Sequence, residues 1–265
     1  MAPTPKLVSH DITEKLNAIF RGGKYVDKNS LLWAQIKRDC DKIMRDDPAE
    51  CWSSLGNLHA AAGDVDEMRN CYSKALRINN DQAYVTNLLI HLENLGFYSE
   101  ALGYYRDIGG PSLGHFTERY RYGVAAGAFQ AMVQFIDAAK KMEMDMTGLD
   151  IDIQLEAAAL LHVHGISDEE VARHLDAAGL VMRRHRIFCY GIPEVRATAI
   201  DGEFSGVSIV FRVPGSRLDV LALNAALAEQ EGAVGIAGRG IFNVMFLPDT
   251  NTTLDLSPRE RREVA

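Results

Sequence analysis

Trp52-Ser53-Ser54-Leu55-Gly56, followed by His59, Gly63, Tyr72 and Ala75, decides the fold of most of this chain. The pattern sets a Trp and a Leu among small residues on a first helix. It then places a glycine where the chain must reverse, and an aromatic and a small residue on a second helix. Helices joined by so tight a bend pack closely only if large side chains on one meet small ones on the other. Glycine enters the left-handed backbone conformation of such a bend without strain. The stretch therefore predicts a helical hairpin.

The hairpin recurs along the chain. Gly63 and Gly96 are 33 positions apart, and the same shift carries Leu55 to Leu88, Met68 to Ala101 and Tyr72 to Tyr105. A shift of 31 takes Gly96 to Gly127, Ala101 to Met132 and Ile108 to Ala139, giving a third hairpin over residues 116–142. Residues 151–164 and 167–178 read as a fourth, more divergent pair, in which residues 171–178 echo residues 132–139. Ser167 followed by Asp168, Glu169 and Glu170 opens its second helix with a cap hydroxyl and acidic residues at the positive end of the dipole. Upstream, residues 12–20 and 30–44 form an irregular leading pair around Gly22-Gly23, stopped at Asp46-Asp47-Pro48. A stack of hairpins needs such an atypical cap to close its exposed face.

Residues 50–142 resemble the tetratricopeptide repeat, whose period is about 34 residues. The first full repeat departs from that pattern at His59, where Tyr is commonest, at Met68, where Ala is commonest, and at Asn80, near the usual Pro. The resemblance implies a mainly α fold, an α-solenoid that holds a partner protein or peptide in its concave groove. It brings forward Ser53, Asn57, Ala60, Ala61, Thr86, Asn87, Ile90 and Asn94 as groove residues, with amides able to pair with a peptide backbone. Asn57 and Asn87 look like the two Asn of the family's carboxylate clamp, but Ser53 stands where that clamp has a Lys, so the carboxylate lacks its strongest partner. Tyr104, Arg121 and Tyr122, in an aromatic and arginine-rich cluster around Gly109-Gly110-Pro111, are further candidate interface anchors.

Past Leu180 the periodicity changes from 3.6 to two. Residues 195–200 alternate as a strand, Asp201-Gly202-Glu203 supplies a turn, and residues 207–213 read as a second, mostly buried strand. Ser216 and Asp219 resemble a capping box opening a helix over residues 217–231, with Leu218, Leu221, Ala222 and Ala225 on one face. Residues 232–240 break that helix and residues 241–247 form a third strand. The order β-β-α-β defines a small α/β domain, expected to dock on the last helical pair because its own core is marginal. The expected organisation is a helical-repeat domain over residues 1–180, the α/β domain over 181–250 and a flexible charged tail over 251–265. Edge strands in so small a sheet can pair with another copy of the chain or with a partner.

A net charge of −8 argues against a dedicated duplex-DNA binder, which needs a clustered basic face. The one basic patch is Arg183-Arg184-His185-Arg186, where Tyr190 or Phe188 could stack a base. These arginines carry an alternative reading as an RNA- or nucleotide-binding regulator. Cys40, Cys51, Cys71 and Cys189 show no Cys-x-x-Cys pairing and read as buried thiols of a reducing compartment. With no apolar run long enough to span a membrane, the expected location is the cytoplasm. His162 and His164 are two apart on a helix and point opposite ways, and His174 and His185 do not complete a ligand set, so no metal and no cofactor is expected. Phosphate-loop, nucleophile-elbow and zinc-protease motifs are absent, and Gly235 to Gly240 precedes a strand instead of opening a helix. The chain is therefore expected to be an adaptor or scaffold and not an enzyme, with an enzyme in the C-terminal domain as a further alternative.

Overall fold

The computed structural model describes residues 5–112, 115–189, 191–200, 204–235 and 240–249. The expected 251–265 tail, the Asp201-Gly202-Glu203 turn, Tyr190 and most of the glycine-rich 235–240 stretch lie outside the described residues. The fold is mainly α with one small sheet. Its helices are α1 (Pro5–Arg21), α2 (Leu31–Ile43), α3 (Pro48–Ala61), α4 (Val65–Ile78), α5 (Gln82–Asn94), α6 (Tyr98–Asp107), α7 (Phe116–Ala125), α8 (Phe129–Lys141), α9 (Ile151–Val163) and α10 (Asp168–Arg184). Strands β1 (Glu194–Ile200) and β2 (Phe204–Val213), helix α11 (Arg217–Ala233) and strand β3 (Phe242–Pro248) complete it.

From α1 to α9 each helix packs on the next. Large-to-small complementarity sets the hairpins: a Cβ on Gly56 would lie 2.9 Å from the Tyr72 ring, so α3 and α4 approach as closely as that glycine allows. Gly63, Gly96 and Gly127 all have φ near +70°, the reversal the sequence demanded of them.

α10 does not complete a fourth hairpin with α9. It crosses the bends of the earlier ones, seating Val171 and Leu175 on Gly127 and Gly179 on Gly96. The chemistry of two deficient helix starts explains its course. α6 and α8 begin after Phe97 and Ala128, which supply no side-chain cap. The missing acceptors come from α10: Asp176 accepts from Tyr98 N and Ser99 N at 2.6 and 3.1 Å, and Asp168 from Gln130 N and Ala131 N at 2.8 and 3.1 Å. Eight residues apart on one helix face, the two carboxylates meet successive helix N-termini, where negative charge is favoured.

Beyond α10 the chain keeps to the same rim. Phe188 N donates to Gly23 O at 2.9 Å, Tyr25 N to Arg186 O at 3.3 Å and Cys189 N to Asn94 O at 3.4 Å. Phe188 itself is buried between Phe20 and Tyr25, with ring centroids 4.9 and 4.6 Å away. All four cysteines are buried free thiols.

The sheet has the order β1-β2-β3, antiparallel then parallel. One face, carrying Ile209, Phe211, Val244 and Phe246, packs on α9 and α10. The other carries Glu194, Arg196 and Arg212 in two surface ion pairs. α11 begins with the expected capping box of Ser216 and Asp219. It buries Val220, Leu223, Leu227 and Gln230, whereas Leu218 and Leu221 of the expected apolar face are 78% and 66% exposed. The stripe chosen is the one that lets Asn224 reach β3. Its carboxamide donates to Phe246 O and accepts from Phe246 N, both at 2.9 Å, and so caps that edge of the sheet at Phe246.

Candidate functional site

Among the described residues β1 pairs only with β2, which leaves its outer edge without a strand partner there. Along that edge, between α7, the start of α9 and residues 192–198, runs a cleft of about 760 Å³. Two of its lining side chains are nearly buried and polar. Tyr120, on α7, and Gln154, on α9, are each 4% exposed, and neither Tyr120 Oη nor Gln154 Oε1 has a hydrogen-bond partner among the described residues. Burial pushes the Tyr120 phenol up to about 12, so it remains an un-ionised hydroxyl near neutral pH. Arg121 and Asp150 stand at the mouth with opposite charge. Glu194, at the start of β1, is held below the usual carboxylate range by its bonds to Arg196 and Arg212. The arrangement combines a strand edge along one wall with two side chains, Tyr120 and Gln154, whose polar atoms are buried and unsatisfied among the described residues.

The sequence-based groove residues divide into several environments. Ser53, Ala60 and Asn94 are buried in the helical core, which removes them from any open surface. The side-chain oxygen of Asn57 accepts from Tyr72 Oη and lies 2.7 Å from His91 Nε2. Burial holds His91 down to about 3, and as a neutral ring it donates through Nε2 to that oxygen. Asn57 thus ties α3 to α4 and α5. Thr86, Asn87 and Tyr122 share a depression of about 360 Å³ between α5 and α7, together with Arg119. Ile90 and Tyr104 are half-buried, the latter against the hydrophobic core. Arg121 belongs to the β1 cleft, on another side of α7 from Tyr122.

At the basic junction, Arg183 is committed internally. Its Nη1 donates to Leu95 O at 2.9 Å and to Gly96 O, and its guanidinium lies 4.0 Å from the Phe97 ring centroid. It caps the carbonyl end of α5, a role that arginine's planar fork suits. Arg184 and Arg186 are exposed, with Arg186 over Tyr25. His174 pairs with Glu231 of α11 at 2.9 Å, which accounts for its burial. Two residues escaped sequence reasoning. Gln154 carries no motif, and Glu93 is a carboxyl closed inside the core with Oε1 unpartnered, its pKa raised well above the ordinary value by burial. No helix among the described residues is long and apolar enough to cross a membrane.

Comparison with protein-family models, with curated proteins and with solved structures returns no match for this chain.

Proposed function

We propose that the protein is a binding adaptor in which tetratricopeptide-like hairpins and the small sheet together hold an extended segment of a partner polypeptide along β1. The observation that carries this reading is the cleft beside the β1 edge, lined by Tyr120 and Gln154, two side chains whose Oη and Oε1 are buried beneath its surface and have no partner among the described residues. Leaving such an atom unsatisfied costs about 1–3 kcal/mol, a cost that a bound polar group offsets. The other edge of the sheet is capped by Asn224 at Phe246, which favours strand addition at β1. β1 has seven residues and, at about 3.3 Å per residue, offers a docking edge about 20 Å long. The incoming strand pairs its backbone with β1, and Tyr120 and Gln154 select polar groups on its flank.

A displayed library of linear peptides, selected on the intact protein and followed by hydrogen exchange of the complexes, tests the proposal. Selected peptides are expected to slow exchange across residues 194–200. They should bind Tyr120→Phe about tenfold more weakly, close to the worth of one hydrogen bond, although that variant folds at least as stably as the wild type. Protection confined to α3 through α6, or no selectable linear peptide, overturns it.

A further inference from the structure

Away from the β1 cleft, the bend of the first full hairpin gathers a second kind of chemistry. His59 lies near the end of α3, Glu67 in the first turn of α4 and Cys71 one turn later. Spaced four apart, Glu67 and Cys71 share one face of α4, and the Gly63 bend folds α3 back so that His59 meets them. One ligand atom from each of the three lies within 4.8 Å of the others.

We propose that His59, Glu67 and Cys71 form a binding site for a divalent cation of the zinc class. An imidazole nitrogen, a thiolate sulfur and a carboxylate oxygen are the donors this cation takes, and three protein ligands leave a fourth position open. Metal–ligand distances of about 2.0–2.3 Å require the three donors to draw closer together than they stand now. Glu67 is an exposed, flexible side chain able to supply that movement, while Cys71, 2% exposed, is the fixed corner.

The surroundings of His59 are those of a ligand and go beyond mere proximity. Its Nδ1 is 3.3 Å from Asp64 Oδ2, which leaves Nε2 for the metal and orients the ring as outer carboxylates do for metal-bound histidines. Asp64 is itself held on two sides, by the Lys28 ammonium and by capping α4 at Glu67 N. Trp33 stands edge-on to the imidazole at 5.3 Å and walls it on the apolar side. Binding exchanges one proton for the metal: the Cys71 S–H bond breaks, the proton leaves to solvent and the thiolate takes the cation, with no redox step. The bound ion clips α3 to α4 across their bend and offers its open position to water or to a donor atom of a partner.

The test uses the full chain, kept reduced and stripped of metal with a chelator, with cobalt(II) as the spectroscopic probe. A thiolate-to-cobalt charge-transfer band is expected to saturate at about one ion per chain and to vanish when zinc is added. Asp64→Asn, which preserves a capping side chain, should bind cobalt about 10–100-fold more weakly. Glu67→Gln, on an exposed residue, should weaken binding further, and Cys71→Ser should abolish the band. If Cys71→Ser does not fold, His59→Gln and Glu67→Gln decide the matter. Absence of the band in wild-type protein, or cobalt affinity unchanged in both of those variants, overturns the proposal.

Discussion

Replacing Gly179 by alanine probes the seam on which α10 is held. Gly179 is an interior helical residue with ordinary backbone angles, so intrinsic propensity alone favours the alanine by about 1 kcal/mol. Its Cβ, however, would lie 2.6 Å from Gly96 Cα and 2.7 Å from the Gly96 carbonyl carbon. Carbon atoms in contact sit about 3.5–4.0 Å apart, so α10 must retreat by about 1 Å. The obstacle is backbone and has no rotamer to escape into. Retreat stretches the Asp176 bonds to Tyr98 N and Ser99 N, now 2.6 and 3.1 Å, and the Arg183 bond to Leu95 O, now 2.9 Å. Weakening bonds worth about 1.5–3 kcal/mol each, less the propensity gain, leaves a net loss of about 2–4 kcal/mol. At about 2–4 °C per kcal/mol for a domain of this size, calorimetry should show Tm lower by about 4–16 °C. Gly103→Ala in α6, where nothing stands within 4 Å of the new methyl, is the control and should stabilise slightly. A Gly179→Ala protein that melts with that control, at or above the wild type, refutes the close-approach argument.

Two further outcomes follow from buried polar groups. Glu93 has a folded-state pKa well above its ordinary 4.5, so the folded protein binds that proton more tightly than the unfolded chain does. Its contribution is complete below about 4.5 and declines as pH rises from there toward the folded value. Glu93→Gln should therefore match the wild type near pH 4 and exceed it in urea unfolding at pH 8; parallel stability curves for the two proteins would refute this. Asn57→Ala leaves Tyr72 and His91 short of a partner and should cost about 1–3 kcal/mol. Asn87→Ala, half-buried beside the depression between α5 and α7 and outside the Tyr72–His91 tie, should stay within about 0.5 kcal/mol. Equal losses in chemical denaturation would show that Asn57 is not the internal tie described.

The two asparagines show how far the sequence could be read. Asn57 and Asn87 occupy comparable places in a repeat pattern, and nothing local separates them. Asn57 is drawn inward because Tyr72 and His91, 15 and 34 residues away, both reach its oxygen. In the same way α11 carries two apolar stripes. Hydrophobicity favoured Leu218 and Leu221, but the pairing of Asn224 with the edge of β3 turned Val220, Leu223 and Leu227 inward. Gln154, an unremarkable polar residue on α9, matters only because β1 arrives beside it.

By itself the sequence determined the hairpins α3–α4, α5–α6 and α7–α8, though not the fourth pair it suggested, together with their bends at Gly63, Gly96 and Gly127, the change of period past Leu180 and the capping box at Ser216. Each of these rests on contacts within a few turns of chain, so residue order and side-chain size suffice. Only the tertiary structure decided where α10 lies, which edge of the sheet stays open and which polar groups end up buried. Several of those outcomes depend on residues far apart in the chain, 57–88 positions in the contacts of Arg183 with Leu95, Asp176 with Tyr98 and Glu231 with His174. A carboxylate, guanidinium or amide settles wherever the fold has left an unpaired donor or acceptor, and those sites exist only once distant helix ends and strand edges have been brought together.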